Sequence, residues 1–520
     1  MLNSFPSGKS AKIPSSANNI DSIHKLSTAE ISEFITKTNP ASIEKTGQRM
    51  ALNLFRNSSD SVPAYRKFLK TNHIDSSKIR NLDDFKTLPI MTKKNYLLKY
   101  PLAELNWDGK LDDLHIVSVS SGSSGEPFFW PRGQGLELET ALIYELALKH
   151  IFRVDRQKTL FLIGYAMGMY VAGVFTLNSL MKMTREGYPL TVVSPGSDKD
   201  QIITIIKKLG SNFDQVIIAA YPPVIKDVVD KGIEENINWK DYKMKFISGG
   251  EGYSEEFRSY VYKKMGTLKS YLTSSMNTYG SADAAILGHE TPLSILVRKA
   301  ASDNSNLRKA LFGEDRLPSV QQYYPFYKYF ESVDGNLVFT TFGGIPLIRY
   351  SIGDTGGIIP YKKVIDILDE FKIDIRKEMK KYHSDNLIWK LPFVYLFGRK
   401  DNTKIFYGAN IYPEHIKNCL EQKKLIGITT GKYFMDIIFD KDHNQSLLLA
   451  IELCPKVKNE TKLEDKIAKL IHNNLLNIND EYRYLFHTIG NIIYPKVELY
   501  EYGHLKYFSP RIKPKYVKKD

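Results

Sequence analysis

The chain has 520 residues, 42% of them apolar and 25% charged, which excludes a disordered polymer and a single ordinary core and predicts two or more folded domains. Its two cysteines, Cys419 and Cys454, are too few for a disulfide scaffold or a cysteine-built zinc site and fit a reducing cytoplasm. The net charge of +14 is diffuse outside the basic 511–519 tail, and without zinc-finger spacing or an RNA-binding signature it argues against a nucleic-acid partner.

The first residues are polar and carry no apolar core of a secretory signal, so a cytoplasmic protein is expected. Residues 1 to about 100 read as mainly helical. Ala64, Tyr65, Phe68 and Leu69 recur at helical spacing, and 83–90 reads as a short helix stopped by Pro89. Next comes Val119-Ser120-Ser121-Gly122-Ser123-Ser124-Gly125-Glu126-Pro127, with four serines and two glycines in nine residues. Hydroxyls and unobstructed N–H groups on a sharply bending backbone suit a phosphate chain. The same composition also describes a plain flexible connection.

Residues 137–152 form a further helix candidate. The uncharged stretch 160–181 is long enough to be tested as a membrane span. Its three glycines, two tyrosines, Thr176 and Asn178 favour a buried helix entered through a Gly-rich turn, so no span is expected. Strand-like runs at 159–164, 188–193, 213–220 and 244–248 then alternate with helical runs at 202–209 and 224–230. A third helix is capped by Ser254, carries Glu255 and Glu256 in its first turn and stops at Gly266. Such alternation predicts an α/β domain with a largely parallel sheet. A strand follows at 336–341, and 364–390, rich in both charges, reads as a surface helix. Past Gly398 the pattern shrinks to smaller α+β units: a helix opened by Pro413 with Ile416 and Leu420 one turn apart, a strand at 446–454, a helix at 463–476 and a last strand at 496–499.

Four further stretches bear on the Ser/Gly loop. Ile247-Ser248-Gly249-Gly250-Glu251-Gly252 links an expected buried strand to the capped helix. Asn277-Thr278-Tyr279-Gly280-Ser281-Ala282-Asp283 joins an aromatic ring, a tight glycine and a carboxylate. Arg349-Tyr350-Ser351-Ile352-Gly353-Asp354 places an aspartate after a strand, and Phe397-Gly398-Arg399-Lys400-Asp401-Asn402 opens the smaller region. In this order and at these separations, together with Tyr407-Gly408-Ala409-Asn410-Ile411-Tyr412-Pro413, the set resembles the acyl- and aryl-adenylate-forming superfamily. It looks most like the branch containing phenylacetate–CoA ligase, and the likeness runs from about residue 60 to the C-terminus.

The resemblance implies an enzyme that uses ATP and Mg2+ to activate a small-molecule aryl or acyl carboxylate as an acyl-adenylate, then transfers it to a thiol, with coenzyme A as co-substrate. Transfer to an acyl-carrier protein or an amine stays open, as does a catalytically degenerate nucleotide-binding protein. The implied fold is α/β: a large N-terminal domain of mixed sheets and helices at 1–397, binding ATP and carboxylate, and a small mobile α+β C-terminal lid domain at 398–520. Lys400 and Asp401 form the implied hinge.

By the same likeness Ser120, Ser121, Gly122, Ser123, Ser124 and Gly125 form the phosphate loop. No Walker pattern is present, so a P-loop NTPase is not suggested. Gly249, Gly250, Glu251 and Gly280 lie along the nucleotide, Tyr279 stacks on adenine, and Asp354 accepts from both ribose hydroxyls, its two oxygens facing a vicinal diol. Asp283 is the implied metal carboxylate. Arg399 reaches the nucleotide at the domain junction, and Lys513 neutralises charge on the reacting carboxylate and α-phosphate, with Lys506 as its rival. Met167, Gly168 and Ala284 line the implied acid pocket. Departures from the pattern are Glu126 for lysine, Ala282 for a hydroxyl residue, Asp283 for glutamate and Ile512 for glycine. His289-Glu290 reads as a local hydrogen bond or surface pair rather than a metal site. Oligomeric state stays open.

Overall fold

The computed structural model describes residues 23, 26–112, 114–119, 128–165, 167–168, 171–250, 252–399, 404–406, 409–439, 445–479, 482–483, 486–487 and 490–508. Helices Thr28–Lys37, Pro40–Ser61, Pro63–Thr71 and Leu82–Lys86 precede an antiparallel hairpin of β1 (Ile116–Val119) and β2 (Phe129–Arg132), its two strands flanking the Ser/Gly segment. A twelve-stranded sheet follows, built from β3 (Thr159–Ile163), β4 (Leu190–Val193), β5 (Gln215–Ala220), β6 (Met244–Gly249), β7 (Ser275–Ser281), β8 (Ala285–His289), β9 (Ser319–Gln322), β10 (Lys328–Val333), β11 (Asn336–Thr341), β12 (Leu347–Tyr350), β13 (Asp354–Ile359) and β14 (Phe393–Arg399). Its order is β10-β11-β13-β14-β9-β8-β7-β6-β5-β3-β4, with β12 paired to β11.

Strands β4, β3, β5, β6 and β7 pair in parallel, and all other pairs in this sheet are antiparallel. The expectation of a largely parallel sheet therefore holds only for this half. Beyond Ser281 the chain turns back after Ala282, Asp283 and Ala284, too short a link for the crossover that a parallel neighbour requires.

Period-2 burial sets the layers. On β3, Leu160 and Leu162 join one apolar cluster and Phe161 and Ile163 the other. On β5, Val216 and Ile218 face the first cluster, while Ile217 and Ala219 face the second. Helices Lys199–Leu209, Pro222–Glu234 and Glu255–Met265 cover the first face; Thr28–Lys37, Gln134–His150 and Val171–Arg185 cover the second. Each fully buried Leu, Ile or Phe contributes about 1.5–3 kcal/mol, so a one-residue slip of β3 or β5 is strongly disfavoured.

The 160–181 stretch divides into β3 and the start of the Val171–Arg185 helix, and no described helix is long and apolar enough to cross a membrane. The single surface helix expected over 364–390 is instead two helices, Tyr361–Glu370 and Ile375–Lys381. The break falls where Lys372 takes φ 60°, and Asp374 caps the second helix through Lys377 N at 3.0 Å. Val364, Leu368 and Met379 are buried; the charges fill only the outer stripes of two amphipathic helices.

Past β14 lie a hairpin of β15 (Lys404–Phe406) and β16 (Ala409–Ile411), then a three-stranded sheet of β17 (Thr429–Phe439), β18 (Gln445–Leu453) and β19 (Lys496–Tyr500). Helices Pro413–Leu420 and Thr461–Ile478 close a separate apolar cluster that includes Ile416, Leu420, Leu449, Ile451, Ile467 and Ile471.

Candidate active site

The parallel strands β3, β5, β6 and β7 end together, the place where open α/β sheets characteristically present ligand-binding loops. Gly249 closes β6 in register with Thr278 on β7, whose Oγ1 donates to Ser248 O at 2.9 Å. A Cβ on Gly249 would lie 2.5 Å from Thr278 Oγ1 and 3.3 Å from the Tyr165 hydroxyl. Gly250 has φ +84°, and a Cβ there would lie 2.7 Å from the Tyr221 ring. Both glycines are thus required by neighbouring protein atoms, and the second also by its left-handed backbone. Tyr221 in turn packs edge-on against Tyr165 at 5.3 Å.

Beneath this turn, Ser254 Oγ accepts from Phe257 N at 3.1 Å and caps the Glu255–Met265 helix, which ends at Gly266 with φ 73° as its sequence predicts. The helix is anchored by a buried ionic network. Arg258 donates to Glu255 Oε2 at 3.0 Å, Ser275 Oγ at 2.6 Å and Glu290 Oε2 at 3.2 Å. Arg298 pairs with the same Glu255 and donates to Tyr253 O at 2.7 Å. Burial alone would raise the Glu255 carboxyl, but Arg258 and Arg298 outweigh it and bring it down to about 2. His289 is buried, hydrogen-bonded to Glu290 O at 2.7 Å and Tyr324 OH at 2.9 Å, and burial lowers its pKa to about 4. His289 and Glu290 are thus joined by the expected local hydrogen bond, but both are buried, so they are not a surface pair.

Tyr279 and Asp354, 75 residues apart in sequence, meet where the Tyr279 hydroxyl donates to Asp354 Oδ2 at 2.6 Å. The Tyr279 ring stacks on Phe330 at 6.3 Å and 28°. Gly280 follows at an irregularity in the β7–β8 register, and a Cβ there would lie 2.5 Å from Ala285 O. Asp354 opens β13 opposite the backbone of Arg399 on β14. Arg349, at φ 48°, fixes the preceding strand by donating to Glu331 Oε2 at 3.0 Å and to the carbonyls of Lys86 and Leu88.

Asp283 is partly exposed in the β7–β8 turn, close to the buried guanidinium of Arg132. Burial pulls the Arg132 pKa down to about 10, with Asp283 and then Glu137 pulling the other way. Among the described residues no three His, Cys, Asp or Glu side chains cluster as a metal cage. A hard carboxylate such as Asp283 fits Mg2+, which binds through one or two carboxylates plus phosphate oxygens and water. Ala284 is buried in the cluster that holds Tyr279 and Phe330, whereas Met167 packs against the one that holds Tyr165 and Tyr221. Gly168 has φ +84°, with no described atom within 4 Å of a Cβ placed there.

Ser120, Ser121, Gly122, Ser123, Ser124, Gly125, Glu126, Glu251, Lys400, Asp401 and Lys513 lie outside the described residues, as does the Arg399 side chain. Lys506 is exposed on the short Leu505–Phe508 helix, 4.9 Å from the Tyr507 ring.

Sequence reasoning overlooked Arg132 and one face of the Pro413–Leu420 helix. Lys417 Nζ donates to Gly252 O, and Ser254 N donates to Glu421 Oε2 at 2.9 Å, seating this helix against the glycine turn. Gly398, at φ +118°, has no room for a Cβ because the Glu414 carboxylate lies there. Burial pushes Glu414 up to about 7, opposed by Arg316 and Lys417 and reinforced by Asp354. Arg316 itself stacks over Phe397 at 4.2 Å and Tyr412 at 4.1 Å. The available signal was the spacing of Glu414, Lys417 and Glu421, one polar stripe on a helix whose opposite stripe is apolar.

No protein-family model matches the chain, and no curated protein matches it by sequence. Solved structures do match. 2-Hydroxyisobutyryl-CoA ligase, crystallised in its postadenylation state in complex with R3-HIB-AMP, aligns at TM-score 0.63 and 14% identity over 92% of this chain and 89% of that one. An open conformation of the same ligase in complex with 2-HIB-AMP and CoA aligns at TM-score 0.52 and 14% identity over 94% and 92%. Its thioesterification state aligns at TM-score 0.50 and 14% identity over 92% and 89%. The chain has the fold of this CoA ligase.

Proposed function

We propose that the chain activates a small carboxylic acid with ATP, releasing pyrophosphate, and passes the resulting acyl-adenylate to a thiol, coenzyme A first. The observation that carries this reading is the Tyr279–Asp354 contact, which brings an aromatic ring on β7 against the carboxylate that opens β13. A shared fold with a ligase crystallised in complex with an acyl-adenylate supports it.

In this reading Asp354 accepts from the ribose hydroxyls and Tyr279 holds it in place. The 249–252 turn borders adenine, and the 120–125 loop, between β1 and β2, cradles the β and γ phosphates. A carboxylate oxygen of the acid attacks the α-phosphorus, the bond to the bridging oxygen breaks, and pyrophosphate leaves. Lys513 and Arg399 neutralise the charge that builds up there. Mg2+, held by Asp283 and phosphate oxygens, would supply further neutralisation when bound. The thiolate then attacks the acyl carbon and AMP departs. Met167, Gly168 and Ala284 face the organic part of an aryl or acyl acid. Residues 1–397 act as the ATP- and acid-binding domain and 398–520 as the lid, turning at Lys400 and Asp401. The end of β14 at Arg399 and the left-handed Gly398 support that division.

The test is acid-dependent exchange of radiolabelled pyrophosphate into ATP across a panel of aryl and acyl acids. Lys513→Ala should abolish exchange, and Lys506→Ala should not. After adenylate formation, separate addition of coenzyme A, a carrier protein and an amine identifies the acceptor. Binding without turnover is the second reading, favoured by the positive charge of buried Arg132, which interacts with the Asp283 carboxylate offered to the metal. It predicts tight ATP binding, no exchange, and no effect of Lys513→Ala on binding.

A further inference from the structure

Arg132 ends β2 and is only 1% exposed, a costly place for a guanidinium unless its donors are used. Its Nε donates across the hairpin to Ser118 Oγ on β1 at 3.2 Å. Its Nη2 donates to the carbonyl of Ala282 in the turn that carries Asp283. The guanidinium lies 4.8 Å over the ring of Phe175, on the helix bordering the proposed acid pocket. One side chain therefore touches the stems of the Ser/Gly loop, the metal-side turn and the acid-side helix. A two-stranded hairpin is marginally stable by itself, so its placement depends on such anchors.

We propose that Arg132 is a positioning residue that holds the β1–β2 hairpin in register with the β7–β8 turn and the Val171–Arg185 helix, so that the nucleotide side and the acid side of the proposed site share one frame. The role rests on the adenylation reading. Guanidinium geometry is essential to it: a planar fork reaches two acceptors while stacking on a ring, whereas a lysine ammonium has three donors around a compact point charge and no planar face to stack.

Arg132→Met and Arg132→Lys test the role by two readouts. In hydrogen–deuterium exchange, Arg132→Met should lose protection in β1, β2 and 275–289 together, with β17–β19 unchanged. Loss confined to the hairpin, or spread evenly over the chain, overturns the inference. In pyrophosphate exchange, loss of charge-assisted hydrogen bonds should lower kcat/KM for both ATP and acid by about tenfold to a hundredfold in Arg132→Met, and less in Arg132→Lys. A merely structural role would lower the amount of folded enzyme and leave both KM values unchanged. Kinetic constants within twofold of wild type overturn the inference while adenylation stands. If the wild-type chain exchanges with no acid, the adenylation reading fails and hydrogen exchange alone decides whether Arg132 registers the hairpin.

Discussion

Replacing Tyr279 with Phe removes the hydroxyl that donates to Asp354 at 2.6 Å and leaves the ring on Phe330. A hydrogen bond to a charged group contributes about 1.5–3 kcal/mol, which converts to about tenfold to 150-fold at 1.4 kcal/mol per decade. If Tyr279 orients Asp354 for ribose, Tyr279→Phe should raise KM for ATP by at least the lower of those factors. Asp354→Asn should weaken ATP at least as much, and the double variant should be little worse than the poorer single variant. The assay is pyrophosphate exchange with ATP and with 2′-deoxy-ATP. Wild type should discriminate against the deoxynucleotide, and Asp354→Asn should lose most of that discrimination. Additive effects of the two substitutions, or discrimination intact in Asp354→Asn, would mean that Tyr279 does not orient Asp354 for ribose.

Glu255→Gln should destabilise the chain by about 3–5 kcal/mol in urea unfolding, because it leaves Arg258 and Arg298 buried without their shared carboxylate. Gly250→Ala should cost about 1–3 kcal/mol through its left-handed backbone and also lower exchange activity, since its Cβ would meet the Tyr221 ring at 2.7 Å; a melting temperature equal to wild type contradicts this. Glu414 titrates near 7 in the folded chain, above its ordinary 4.5. Between about pH 4.5 and about pH 7 the folded state thus holds a proton that the unfolded state has released, and stability falls as pH rises through this window. Glu414→Gln should remove that slope, so melting temperatures at about pH 5 and about pH 8 should differ less in the variant than in wild type.

Much of the fold was legible in local pattern. The alternation of Leu160, Phe161, Leu162 and Ile163 marks a strand buried on both faces, and Ser254, Glu255 and Gly266 mark both ends of one helix. Patterns of this kind depend on residues within a turn or two of each other. The antiparallel half of the sheet was less legible, because it turns on how short the connection after Ser281 is rather than on β8 or β9 themselves. The 364–390 stretch misled for a related reason: its charges are conspicuous, while the inner stripe of Val364, Leu368 and Met379 is sparse and broken at Lys372. Within the site, Tyr279 and Asp354 stood out through motif order, but their mutual hydrogen bond spans 75 residues and has no local trace. Arg132 was invisible for the same reason. A lone arginine after an aromatic strand looks like any surface arginine until the β7–β8 turn and Phe175 close over it.

The most direct measurement is pyrophosphate exchange by folded, ATP-binding protein in the presence of Mg2+ and a broad panel of aryl and acyl acids. Adenylation predicts exchange that requires one class of acid and is lost in Lys513→Ala. ATP binding with no exchange for any acid in the panel would contradict it.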